Sequence, residues 1–255
     1  MKKKLSILVS NDDGIDSTGI LSLVYKLREI AEVTVVAPDR QQSAVGHSLT
    51  ISSPLRITPF KRDGKMFGYS INGTPSDCVK IAISSILNVK PDIVIAGINH
   101  GQNTAINILY SGTVSAATEG MLSGIPSMAI SLASHDLDAD MTIAADYAKI
   151  LALKLLDLKL PKDTFLNVNV PYKPKNDIKG IKIVHHSNTV WKDKYEKRND
   201  PFGREYFWFS GEYKVNTDNE ECDDVALNND YVTVNPIHYN ITNHSFISSL
   251  KNLEN

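Results

Sequence analysis

Short apolar runs alternating with amphipathic stretches fill the first two thirds of the chain, and this alternation constrains the fold more than any other feature. The runs Ser6–Ser10, Val33–Ala37, Asp92–Ala96 and Ser127–Leu132 are short and rich in β-branched residues, as strands covered on both faces are. The stretches between them have helical spacing. In STGILSLVYKLREI, Ile20, Leu21, Val24, Leu27 and Ile30 fall on one face, with Asp16 or Ser17 as cap. In TPSDCVKIAISSIL, Thr74 caps a helix that has Pro75 at its first position. SGTVSAATEGMLSG reads as a small-residue helix packed closely on the sheet, and ADMTIAADYAKILALKLLDL as a longer amphipathic one. Such alternation predicts an α/β fold with a Rossmann-like, doubly wound, mainly parallel sheet.

After FLNVNVP (Phe165–Pro171) the texture changes. Residues 172–235 are richer in Lys, Asp, Asn, Tyr and Trp, with strand-like runs in IKIVHH and DYVTVNPI and a turn leading into an aromatic strand in NDPFGREYFWFSGEY. The chain therefore reads as one domain, with an α/β core over 1–171 and a β-rich C-terminal extension over 172–255. A length of 255 residues suits this division. Net charge is −2, which gives no basic field for a nucleic-acid duplex. Cys78 and Cys222 stand far apart and form no CxxC pair. No apolar stretch is long enough to span a membrane, so a cytoplasmic protein is expected.

In open α/β sheets ligands bind beyond the carboxyl ends of the strands, so the segments that follow the strands carry the chemistry. The first strand ends in NDDG. Asp12 and Asp13 put two like charges side by side; a divalent cation held by oxygen ligands would compensate them, although NDDG is also good turn chemistry. PDRQQSAVGHS offers the Ser43 hydroxyl, and GINHGQN offers Asn99 and Asn103 as neutral ligands or phosphate contacts. YSGT opens a helix, where Ser111, Gly112 and Thr113 present N–H groups and hydroxyls to an anion, and where Ser111 or Thr113 serves equally as N-cap. Acids beside an anion nest point to metal-bridged phosphate. P-loop and dinucleotide fingerprints are absent. A receiver-type switch is disfavoured, because the strand ending in AGIN supplies no phospho-acceptor acid.

ILVSNDDGIDSTGI, VVAPDRQQSAVGHSLT, INGTPSDCVKIAI, AGINHGQN, YSGTVSAATEG and DPFGREYFWFSGEY occur in this order, and together they resemble the SurE family of survival proteins, metal-dependent 5'-nucleotidases. The resemblance runs from Ile7 to about Pro236. It implies a Rossmann-like core with a C-terminal extension used in homodimer or homotetramer assembly. The implied activity is hydrolysis of nucleoside 5'- and 3'-monophosphates, and in some members of exopolyphosphate, with one divalent cation per subunit, Mg²⁺ or Mn²⁺. It assigns Asp12, Asp13, Ser43 and Asn99 as metal ligands and Asn103 and Ser111 as active-site residues, with Gly112 and Thr113 beside the phosphate. Either Asp12 or the metal activates the attacking water. The family often ends in an Asp-Leu-Thr-Ala-His stretch whose His assists catalysis. Here the stretch reads NITNH, so His244 is kept while Asn240 replaces the acid, and an amide cannot charge-stabilise an imidazole as a carboxylate does. The leaving oxygen then takes its proton from His244 or from solvent. A module that binds nucleotides without cleaving them is the alternative.

Overall fold

The computed structural model describes residues 4–215 and 219–254. The core runs β1 (Ser6–Ser10), α1 (Thr18–Leu27), β2 (Glu32–Pro38), β3 (Ile57–Arg62), β4 (Lys65–Ile71), α2 (Pro75–Ile81), β5 (Ile93–His100), α3 (Gly112–Leu122), β6 (Ser127–Ala133), α4 (Thr142–Asp157) and β7 (Thr164–Pro171). Then follow β8 (Ile181–Ile183), β9 (Trp191–Asn199), β10 (Glu205–Tyr213), α5 (Asp223–Asn228) and β11 (Val232–His238). Nine strands form one sheet in the order β3-β4-β2-β1-β5-β6-β7-β11-β8. From β4 to β7 every pairing is parallel. Only β3, against β4, and β11, against β7, run antiparallel. The expected doubly wound sheet is thus present. Residues beyond 171 lengthen it by two strands, while β9 and β10 form a separate hairpin.

Burial on both faces follows the two-residue period of a strand. Ile7 and Val9 of β1, with Ile93 and Ile95 of β5, join the core beneath α1 and α4. Leu8, Val94 and Ala96 join the core beneath α2 and α3. Helix α1 is capped by the Ser17 hydroxyl and buries Ile20, Leu23, Val24 and Leu27. Leu21, at the edge of the buried face, and Ile30, beyond the helix end at Leu27, are only partly buried. A capping box opens α2, with Thr74 Oγ1 accepting from Asp77 N and Asp77 accepting from Thr74 N.

Three strands differ from expectation. The sequence predicts none over residues 57–71, where β3 and β4 form an edge hairpin. Pro59, Lys61 and Arg62 mark β3 as an edge strand, which needs no continuous apolar run. The strand read over Asp92–Ala96 and ending in AGIN runs further, as β5, through His100. Asn99 is therefore held at a strand end, beside Ser131 of β6.

The chain reaches β1, moves outward to β2, and returns to place β5 on the other side of β1. The crevice between the carboxyl ends of β1 and β5 is the switch point at which such sheets bind ligands. The first turn of helix α3, at Thr113, lies beside it, and the helix packs over β5 and β6 with nearly every residue buried. The fit has no room to spare, because a Cβ at Gly120 would lie 2.7 Å from Val94 Cβ. Gly120→Val should lower the thermal midpoint by roughly 3–10 °C through overpacking, read by circular dichroism; an unchanged midpoint would contradict this contact.

Candidate functional site

The turn after β1 is made by Asn11 and Gly14. Asn11 Nδ2 donates to the Gly14 carbonyl at 2.9 Å and to Ser17 Oγ at 2.8 Å. Gly14 takes a φ of +95°, a left-handed value that glycine adopts without strain. The two acids between them are thereby freed from turn duty and point to different elements. Asp12 is 4% exposed and accepts from both the backbone N–H (3.1 Å) and the hydroxyl of Thr113 at the start of α3. Asp13 Oδ2 accepts from the His100 backbone N–H at 3.2 Å.

Both carboxyls are strained electrostatically. Burial, then the neighbouring Asp13 charge, pushes Asp12 up to about 6 against the Thr113 hydrogen bonds. Burial also raises Asp13, partly offset by the His100 N–H. Moving a carboxyl from 3.8 to about 6 costs its ionised form about 3 kcal/mol. Because the folded value is the higher one, that penalty is absent at acid pH, grows between about 4 and 6, and is complete at neutrality.

The other expected ligands line the same cleft, of about 420 Å³. Ser43 lies in the loop after β2, where Gln41 Nε2 donates to Ser43 Oγ at 2.9 Å and reaches Asp13 Oδ1 at 3.5 Å. That loop is tied down at several points. Gln42 N donates to the Asp12 carbonyl, Gly46 N to the Tyr110 carbonyl and Thr50 N to Asp77. His47 meets the buried Glu119 at 2.8 Å. Burial opposes ionisation of Glu119, yet His47 and Lys80 outweigh it and hold this carboxyl below its ordinary value. Asn99 Nδ2 donates to the His100 and Gly101 carbonyls at 3.0 and 2.7 Å, which leaves Oδ1 as its available ligand atom.

Asn103 sits in a cage of amides. Its N–H donates to Asn169 Oδ1, its carbonyl accepts from Asn167 Nδ2 and Asn169 Nδ2, and its side chain pairs with Ser131 Oγ. A hydroxyl donates or accepts, so the Asn103 amide keeps that last bond in either orientation, and one of the two turns N–H toward the cleft. Asn167 and Asn169 were not foreseen. Their signal was present in NVN, two amides on one face of a strand expected to be buried, a costly arrangement without partners.

Ser111 is the N-cap of α3, its Oγ accepting from Val114 N, and it lines the cleft. Gly112 lies so close to Asp12 that a Cβ would come 2.8 Å from Asp12 Cβ. Thr113, expected beside the phosphate, instead holds Asp12: it is fully buried and gives both its donors to that carboxyl. His244 is not brought to the cleft of its own chain. It lies in the exposed C-terminal segment, where Nε2 contacts Asn240 Nδ2 at 2.8 Å. His100, His135, Trp191 and Tyr213 do line the cleft and were not foreseen, because only the folded chain brings them there.

The residues present fit a hard divalent cation. Asp12, Asp13, Ser43 and Asn99 supply oxygens alone, and one Gln41 amide nitrogen already spans two of these four side chains, at the distances given. Among the described residues no trio of His, Cys, Asp and Glu gathers, so an ion here depends on neutral oxygens as well as carboxylates. Asp13→Asn keeps an acceptor for the His100 N–H and removes the charge beside Asp12. It should raise the metal-free thermal midpoint near neutral pH by about 2–4 °C and abolish the further rise that Mn²⁺ should give the unaltered protein. Scanning fluorimetry with and without Mn²⁺ checks both; a lowered metal-free midpoint would contradict the repulsion.

Comparison with known proteins points the same way as this geometry. The family model described as survival protein SurE matches residues 7–193. A protein of Chlorobium limicola named 5'-nucleotidase SurE is 45% identical over 248 residues, covering 97% of this chain and 96% of the relative. One of the same name from Flavobacterium psychrophilum is 44% identical over 253 residues, covering 99% and 98%. The crystal structure of the SurE protein from Aquifex aeolicus superposes with a TM-score of 0.86 at 39% identity, over 98% of this chain and 100% of that one. The chain belongs to the SurE family.

Proposed function

We propose that this protein is a divalent-metal-dependent 5'-nucleotidase, which splits nucleoside 5'-monophosphates, and 3'-monophosphates as a second class, into nucleoside and phosphate. One observation carries the reading: two carboxylates, Ser43 and Asn99 meet the N-terminus of α3 in a single cleft at the sheet's switch point. Its relatives are named for the same activity. Exopolyphosphate presents the same terminal phosphoryl oxygens and is a further substrate class to assay.

Asp12, Asp13, Ser43 and Asn99 are the residues that would hold the ion, Mg²⁺ or Mn²⁺. When bound, it supplies positive charge against the acids and the phosphate and favours ionisation of water at the site. The chain's own groups do the positioning. The Gly112 N–H and the Ser111 hydroxyl, at the positive end of α3, receive phosphate oxygens, and Asn103 adds an amide donor from its cage. Asp12 is the chain's acceptor for a proton from the attacking water. The leaving oxygen takes its proton from solvent in the open cleft, or from His244 if the tail of another copy brings it there. Alignment and charge stabilisation then supply most of the rate.

Asp12→Asn and Asp13→Ala should reduce Mn²⁺-dependent phosphate release from AMP or GMP by at least a hundredfold while the fold survives. Asn103→Ala should lower kcat with little effect on the Mn²⁺ requirement. Full turnover in either aspartate variant, or in excess chelator, would sink the mechanism. Binding of nucleotide with no phosphate released would favour the binding-module alternative.

Assembly as a homodimer or homotetramer is part of the proposal. Phe207, Trp208 and Phe209 on β10, and Ile247, Leu250 and Leu253 in the tail, are exposed apolar groups that a second copy would cover. Charge substitutions at Tyr206 and Trp208 should dissociate the assembly, as read by light scattering; an intact assembly would move the interface elsewhere. Among the described residues no helix is long and apolar enough to cross a membrane, which is compatible with the proposed cytoplasmic site of action on soluble nucleotides.

A further inference from the structure

Asn103 and Ser111, both expected at the phosphate, stand at the two ends of one short segment. Between them the backbone turns sharply. Ala105 takes a φ of +47°, a left-handed value that a residue with a Cβ adopts only at a cost. A short 3₁₀ helix, Ala105–Leu109, then leads on to Ser111 at the start of α3. Thr104 and Ala105 are fully buried. A strained residue of this kind persists only where its surroundings hold it.

The hold comes from the C-terminal extension. Asp223, the first residue of α5, is fully buried, and its Oδ2 accepts from the Ala105 N–H at 3.1 Å across 118 residues of sequence. Its Oδ1 accepts from the N–H groups of Ser187 and Asp224 at 3.1 and 2.9 Å. Burial pushes this carboxyl above its ordinary value, and the Ala105 and Ser187 N–H groups partly offset the rise. Asp223 is itself anchored, because its own N–H donates to the His185 carbonyl at 3.0 Å and the Val225, Ala226 and Leu227 side chains that follow are buried. The next N–H of the segment, that of Ile106, meets the Thr189 carbonyl, also in the extension, at 3.4 Å. A carboxylate suits this position better than an amide. Acceptors are needed on both sides, and an amide would turn its NH₂ toward one set of N–H groups.

We propose that Asp223 is a positioning residue for phosphate hydrolysis: it holds the left-handed turn at Ala105 and so sets Asn103 and Ser111 at the spacing that a phosphate requires. This deepens the nucleotidase reading and rests on it. Asp223 does not line the cleft, so it acts through the backbone of the segment and not by touching substrate. The core holds one end of that segment, through Asn167 and Asn169 at the Asn103 backbone, and the extension holds its turn. Asp12, Asp13, Ser43 and Asn99 all lie outside it, so Asp223 serves the phosphate end and not the ion. The extension then serves the reaction directly, besides any part in assembly.

The test separates the phosphate end from the ion. Asp223→Asn should lower kcat for AMP by roughly ten- to a hundredfold. By titration calorimetry it should weaken the binding of inorganic phosphate to the Mn²⁺-loaded protein and change Mn²⁺ affinity far less. Glycine takes the left-handed turn without being held there, so adding Ala105→Gly to Asp223→Asn should recover kcat several-fold, which a general loss of stability would not allow. Unchanged kcat and phosphate affinity in Asp223→Asn, an equal loss of Mn²⁺ and phosphate affinity, or no recovery with Ala105→Gly would overturn the proposal. Amide hydrogen exchange on the unaltered protein decides the matter if Asp223→Asn does not fold. The Ala105 and Ile106 N–H groups should exchange as slowly as those of α3, and fast exchange would show that the extension does not hold the turn. Failure of the unaltered protein to cleave any ester would count against the nucleotidase reading alone, since the phosphate titration and the exchange would still decide the role of Asp223.

Discussion

The contact between Asp12 and Thr113 ties the end of β1 to the start of α3, and the rest of the site is arranged around it. A carboxylate at a helix N-terminus is favoured by the helix dipole and by otherwise unpaired N–H groups. Here both donors come from Thr113, so the acid and the helix fix each other's position. The approach is close enough that only glycine fits at position 112. With Asp12 committed to α3 and Asp13 to the His100 N–H of β5, the acids span the switch crevice from one strand end. Both lie in the bend after β1, from which adjacent side chains reach the two different elements.

This arrangement is unfavourable for the empty fold. Two neighbouring carboxyls, one fully buried and one partly, are both shifted toward the neutral form. A sequence selected only for stability would not keep them, since an amide at either position retains much of the hydrogen bonding without the charge. Sites that hold a charged partner commonly show such a local conflict with the rest of the fold. Turn formation cannot account for the acids, because Asn11 and Gly14 already form the turn.

Legibility in the sequence followed the range of the interactions. The alternation of β1, β2, β5 and β6 with the helices was readable because burial on both faces leaves a local apolar signature. The caps Ser17, Thr74 and Ser111 were readable because a cap and its helix are adjacent in sequence. The acids and Asn99 were readable as strand-end oxygens, and Ser43 only through family likeness. The edge strands β3 and β4 were not readable, since a half-exposed edge carries mixed polarity. Nor were the partners of Asn103, which lie 66 residues away for Asn169 and 28 for Ser131. Tyr213 read only as a hairpin aromatic and Trp191 only as part of the changed texture beyond residue 171, because nothing local says that the hairpin base faces the cleft.

The loop that carries Ser43 shows how such a site can be both open and ordered. Residues 39–56 contain no helix or strand, and a loop of that length would ordinarily be mobile. Here it is pinned at three points to two helices: at Gly46 to the segment before α3, at Thr50 to the Asp77 carboxylate of α2, and at His47 to Glu119 of α3. Asp77 is itself fixed by the capping box, and Glu119 is fixed by Lys80 of α2. The ordering cost of the loop is therefore offset largely by ion pairing and hydrogen bonding to α2, α3 and the segment before α3. Ser43 can then present a hydroxyl beside Asp13 without burying its own loop in the site, and the cleft stays accessible to a ligand as large as a nucleotide.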